Sequence, residues 1–139
     1  MGGCYNWHMT TIGHVILSVS NWERSSAFYD KLMFSLGFEK KLDMSEDWGH
    51  CRSYKSGEHG VYIQHNADAK YAEFVRNPGL DHLCLKVASR EEVDAAHVLV
   101  QSLGAKVTIA PKDFPEYAPG YYAFNFRDPD GIPLEVAVY

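Results

Sequence analysis

Cysteine is scarce in this chain of 139 residues, and the three present, Cys4, Cys51 and Cys84, are far apart with no C-x-x-C spacing. That count excludes a disulfide framework and a cysteine-based zinc site, and it fits free thiols in a reducing cytoplasm. Basic residues form no block, and the net charge is −5. Nucleic acid is therefore not an expected partner, because no run of Lys and Arg is available to neutralise phosphates. No apolar run approaches the roughly 18 residues that a membrane helix needs, so no membrane association is expected. The start, Met1-Gly2-Gly3-Cys4-Tyr5-Asn6, carries Asn6 where an N-myristoylation pattern wants Ser or Thr, and it lacks the apolar core of a signal peptide. Residues 1–10 read as a flexible extension and 11–139 as one domain. With 46% hydrophobic and 22% charged residues, that domain has the composition of a soluble globular protein.

What the chain does have is a repeat. Gly13-His14-Val15-Ile16-Leu17-Ser18-Val19 returns as Asp81-His82-Leu83-Cys84-Leu85-Lys86-Val87. Each run leads to a helix-start signal, Ser20-Asn21-Trp22-Glu23 and Ser89-Arg90-Glu91-Glu92, both of capping-box form. Each helical stretch stops at Leu-Gly, at Gly37 and Gly104. Short alternating runs follow: 38–42, 50–54 and 60–65 in the first half, and 106–109, 121–127 and 132–138 in the second. A proline-rich loop, Pro111 to Gly120, reads as a linker, a lid or a dimer contact. The last two runs are joined by the turn Asp128-Pro129-Asp130-Gly131.

Each half is thus a βαβββ unit, at about 11–66 and 80–139, and the class is α+β. Two such units are expected to form a curved mixed sheet around a concave cavity. Strand alternation puts Val15, Leu17, Leu83, Leu85, Phe124, Phe126, Leu134 and Val136 under the helices. His14 and His82 fall on the opposite parity. Aligning Gly60 with Gly131 adds Gln64 and Glu135 at matching places. A carboxylate at Glu135, between Leu134 and Val136, is costly unless it is paired or binds a metal. Two imidazoles and one carboxylate on one concave face suit a divalent ion such as Mn, Fe, Co, Ni or Zn. Gln64 either completes this set or stands at its rim. By the same parity His50, Arg52 and Tyr54, and Tyr121 and Asn125, are expected to face the cavity, with Arg52 able to clasp a carboxylate or phosphate.

These motifs, with the terminal Phe126-Arg127-Asp128-Pro129-Asp130-Gly131-Ile132-Pro133-Leu134-Glu135-Val136, resemble the vicinal-oxygen-chelate superfamily. That group holds glyoxalase I, extradiol dioxygenases, fosfomycin-resistance enzymes and bleomycin-binding proteins. The resemblance runs from about His14 to Tyr139. It implies paired βαβββ modules, often in a homodimer whose metal site takes ligands from two subunits. It also implies one divalent metal held by His14, Gln64, His82 and Glu135, and a small oxygenated substrate bound through two vicinal oxygens. The nearest chemistry is a glyoxalase I-like lyase or isomerase with Glu135 moving the proton, and with glutathione or another thiol as co-substrate. Many glyoxalases carry a glutamate where Gln64 stands, so only Glu135 is left as a base. The set His14, His82 and Glu135 equally matches an Fe(II) extradiol-type dioxygenase. A metal-free drug- or metabolite-binding protein of the bleomycin-resistance kind is the third reading.

Overall fold

The computed structural model describes residues 10–139; the expected extension lies outside the described residues except for Thr10. The chain order is β1 (His14–Ser18), α1 (Trp22–Ser35), β2 (Glu39–Glu46), β3 (Gly49–Ser56) and β4 (His59–Asn66). Then follow β5 (Leu83–Lys86), α2 (Arg90–Ser102), β6 (Lys106–Asp113), β7 (Tyr122–Arg127) and β8 (Pro133–Val138). The α+β class and the two βαβββ units are those read from the repeat. The strands hydrogen-bond into two four-stranded mixed sheets, one per unit, in the orders β1-β4-β3-β2 and β5-β8-β7-β6. In each, the first strand runs parallel to the last, so β1 and β5 are both sheet edges.

The helix ends follow from local chemistry. Ser89 caps α2 in a reciprocal box: its hydroxyl accepts from the Glu92 amide, and the Glu92 carboxylate accepts from the Ser89 amide. The equivalent box is not made in α1. There Asn21 is the cap, its side chain accepting from the Arg24 amide at 2.9 Å, because Ser20 is engaged elsewhere. Gly37 and Gly104 end the two helices with φ of 81° and 76°, a left-handed conformation that side chains resist. Helix α1 buries Phe28, Tyr29, Leu32 and Met33, and α2 buries Val93, Ala96 and Val100. These meet Leu17 and Ile63 of one sheet and Leu85, Phe124, Phe126 and Leu134 of the other in a single cluster. Each of the larger aliphatic and phenylalanine side chains contributes on the order of 1.5–3 kcal/mol by leaving water.

Polar contacts lock the two units together at the β7–β8 turn. The carboxylate of Asp128, 5% exposed, accepts from the Asp130 and Ile132 amides at 2.9 and 2.8 Å and from the Tyr29 hydroxyl of α1 at 2.8 Å. Asp130 accepts from the Ser20 amide and from Arg24, both at 2.9 Å, and from the Ser20 hydroxyl. Thus Ser20 serves the contact between units and leaves the capping of α1 to Asn21.

On β3 the parity differs from the sequence expectation. Cross-strand pairing sets Arg52 opposite Ile63 and Tyr54 opposite Val61, residues that face the helix. His50, Arg52 and Tyr54 therefore point toward α1, and Gly49, Cys51, Ser53 and Lys55 take the other face. Asp30 of α1 explains the reversal. It accepts from Arg52 Nη1 and from the Tyr54 hydroxyl, each at 2.8 Å. Arg52 also forks onto Asp43 at 3.1 and 2.9 Å and lies over the Trp22 ring, which stacks on His50. Burial, and then Asp30, push the Tyr54 phenol well above its ordinary range.

Asp128→Ala strips the acceptor from three donors and should lower unfolding free energy by about 3 kcal/mol in urea titrations; Asp128→Asn, which keeps one acceptor, should cost less. Burial holds the Asp128 carboxyl above its ordinary range, so folding favours its protonated form; that pH-dependent contribution is present below about pH 4 and lost as pH rises through the raised folded value. Asp128→Asn should remove that slope. Arg52→Met should cost about 2 kcal/mol by removing the cation shared by Asp30 and Asp43, which keep only Tyr54 and Lys40 as partners, with metal and metabolite affinity unchanged. A loss of affinity at full stability would contradict this placement.

Candidate functional site

The second unit assembles two of the expected ligands. His82 precedes β5, and Leu83 pairs with Leu134, so Glu135 stands one residue beyond on β8 with its side chain on the face opposite the helix. His82 Nε2 lies 2.9 Å from Glu135 Oε2. The other ring nitrogen, Nδ1, lies 2.8 Å from Asp81 Oδ1, and the Tyr121 hydroxyl donates to Glu135 Oε1 at 2.7 Å. Glu135 is 6% exposed, whereas the His82 side chain is 39% exposed. Asn125 is the cross-strand partner of Glu135 and shares its face. Both Tyr121 and Asn125 thus border Glu135.

The proton count around His82 is informative. A neutral imidazole has one N–H, yet both of its nitrogens face carboxylates. Nδ1–H donating to Asp81 leaves Nε2 as a lone pair against Glu135. A proton shared between the ring and Glu135, or a cation at Nε2, resolves that conflict. An outer carboxylate on Nδ1 is also the usual partner of a metal-binding histidine. Two ligand atoms each about 2.1 Å from one cation and at right angles stand about 3 Å apart, so the observed 2.9 Å suits adjacent positions on one ion. His82 and Glu135 fit a divalent cation as two of its ligands.

The first unit does not complete the set within the chain. His14 and Ser18 lie on the exposed face of β1, with Ile16 between them 46% exposed. Among the described residues no three His, Cys, Asp or Glu side chains come together as a metal-ligand group. Gln64 is separated from His14. It pairs with Ser18, four residues along β1, or about 13 Å at the usual rise per residue. Its amide donates to Asn66 at 2.9 Å. Aligning the two glycines does not give the true correspondence, because the strands pair at another register. His14 opposes Gly60, and two residues on is Tyr62; His82 opposes Pro133 by the same count, and two residues on is Glu135. Tyr62, not Gln64, occupies the place matching Glu135, and its ring stacks on His14 at 4.8 Å. Counting from each histidine across the parallel pair, in place of aligning glycines, identifies it. Asp81 was legible too, as the residue beside His82.

The segment after β6 packs over the second sheet. Phe114, 6% exposed, sits with Ala123 and Ala137, flanked by Cys84 and Tyr121. Tyr121 stacks on Tyr139 and meets the edge of Tyr117. Pro111 belongs to β6, so the expected loop is shorter and serves as a cover for this face. Burial, and then the Glu135 charge, push the Cys84 thiol up to about 11, so it remains protonated at neutral pH. Cys51 and Cys84 are both free.

A model of the Glyoxalase/Bleomycin resistance protein/Dioxygenase superfamily matches residues 11–136. The fold is similar to a glyoxylase/bleomycin resistance protein/dioxygenase domain from Frankia sp. EAN1pec, at 22% identity and a TM-score of 0.77, covering 94% of this chain and 98% of that one. A glyoxalase/bleomycin resistance protein from Albidiferax ferrireducens T118 is 25% identical with a TM-score of 0.73, covering 92% and 98%. The genomically encoded fosfomycin resistance protein FosX from Listeria monocytogenes is 16% identical with a TM-score of 0.67, covering 95% of each chain. No curated protein matches. No helix among the described residues is long and apolar enough to cross a membrane. With paired βαβββ units, a histidine–glutamate pair on the second sheet and a family match across nearly its whole length, the chain belongs to the Glyoxalase/Bleomycin resistance protein/Dioxygenase superfamily.

Proposed function

We propose that this protein is a metal-dependent enzyme acting on a small oxygenated molecule, with a glyoxalase I-like lyase or isomerase as the nearest chemistry. The observation that carries the reading is His82, whose two nitrogens face Asp81 and Glu135 with one proton between them in the neutral ring. A divalent ion, Zn, Ni, Mn, Co or Fe, would be held by His82 and Glu135 of one chain and by His14 of a second copy in a homodimer. The exposed faces of the two edge strands support that sharing, since one chain does not bring the three together. The ion would polarise two substrate oxygens and stabilise the charge that develops on them.

The chain's own groups do the rest. Asp81 holds the His82 ring by Nδ1, so Nε2 keeps its lone pair toward Glu135, where the ion would sit. Tyr121 donates to Glu135 Oε1 and orients the carboxylate, which would move the proton between substrate carbons. Asn125 flanks the same carboxylate and offers an amide to the substrate. Glutathione or another thiol would enter as co-substrate, in keeping with a reducing cytoplasm where Cys51 and Cys84 stay free.

The separation of Gln64 from His14 favours a second reading. Three ligands, two imidazoles and one carboxylate, are also what an Fe(II) dioxygenase uses. Turnover of a thiohemiacetal in oxygen-free buffer supports the lyase; oxygen uptake on a catechol with bound iron supports the dioxygenase. Metal analysis and thermal denaturation test both. The full chain should bind one divalent ion per subunit and gain melting temperature with it, and a chelator should reverse the gain. His14→Ala, His82→Ala and Glu135→Gln should each abolish the gain, while Gln64→Ala should leave it. Absence of any bound ion, with no metal-dependent shift, would overturn the enzyme reading.

A further inference from the structure

We infer that Lys55 and Tyr62 form an anion-recognition pair beside His14, and that the substrate carries a carboxylate. The inference rests on the metal reading above and adds the charge of the substrate and the residues that select it.

Three side chains converge over Gly60. His14 is its partner on β1 and Lys55 its partner on β3, and Tyr62 follows two residues on along β4. All lie on the face away from the helices. Gly60 makes their approach possible: a Cβ there would stand 2.9 Å from Tyr62 Cε1, 3.1 Å from His14 Cβ and 3.3 Å from Lys55 Cε. The Tyr62 ring lies against His14 at 4.8 Å, and the Lys55 ammonium stands 5.5 Å from the Tyr62 ring centroid.

Where Glu135 puts a carboxylate in the second unit, the first unit puts a phenol and a cation. That reverses the local charge. Lys55 has no carboxylate partner among the described residues. Glu39, its neighbour across β2, pairs with Lys41 instead. A cation that is half-buried, unpaired and held over an aromatic ring beside an expected metal ligand is suited to a ligand's anionic group. The Tyr62 hydroxyl adds a neutral donor for one of the same oxygens. In the proposed dimer this pair would flank the His82–Glu135 half-site of the other copy.

Isothermal titration of the Mn2+-loaded full chain with pyruvate and with its neutral methyl ester tests this. The wild type should prefer the anion. Lys55→Met should weaken pyruvate roughly tenfold and leave the ester and Mn2+ itself unaffected; Tyr62→Phe should weaken both ligands by a smaller factor. Gly60→Ala, which crowds all three side chains, should weaken both Mn2+ and pyruvate. Unchanged pyruvate affinity in Lys55→Met, with Mn2+ bound, would overturn this inference alone. Failure of the wild type to bind Mn2+ would overturn it together with the metal reading.

Discussion

Parallel pairing of the first strand of each unit with its last decides which side chains can meet. In a parallel pair the register is set by backbone hydrogen bonds, and alternate residues of both strands rise on one face. A residue at the start of the first strand therefore lies near the residue two beyond its partner on the last. In the second unit those residues are His82 and Glu135, and they stand 2.9 Å apart. In the first they are His14 and Tyr62, and their rings stack. The two units share a geometry and place different chemistry in it.

The core that carries this geometry is common to both units. Helices α1 and α2 pack in one apolar cluster, and the β7–β8 turn reaches across to Tyr29, Ser20 and Arg24 of the first unit. Asp128 and Asp130 have no part in the proposed chemistry, yet they hold the second sheet against the first helix. The face of the second sheet opposite its helix is partly filled by Phe114 and Tyr121, which narrows the open ground around Glu135. The corresponding face of the first sheet stays exposed at His14 and Ile16. The proposed dimer would bring the exposed imidazole of one edge strand to the His82–Glu135 pair of the other copy.

Much of this was legible in the residues. The repeat, the Leu-Gly helix stops and the alternation of His14 to Val19 and of Leu83 to Val87 carry strong local signals, because periodicity and glycine conformation act within a few residues. The Ser89 box was equally local. The misses are all matters of register or tertiary contact. Ser20 has a capping sequence but is drawn away by Asp130, more than a hundred positions later. Arg52 and Tyr54 turn toward α1 because Asp30 waits there, and no alternation within β3 reveals which face that is. Gln64 was placed by aligning two glycines that sit at different heights in their sheets. A one- or two-residue offset in register changes the face or the position of every side chain.

We propose that one metal site draws His14 from one chain and His82 with Glu135 from another. Mixing two inactive variants, His14→Ala and Glu135→Gln, after joint denaturation and refolding tests it directly. If ligands are shared, each mixed dimer contains one site with all three ligands intact, and metal binding returns in the mixture. If the site closes within a single chain, or needs no second copy, the mixture binds no more metal than the separate variants, which would contradict a shared site.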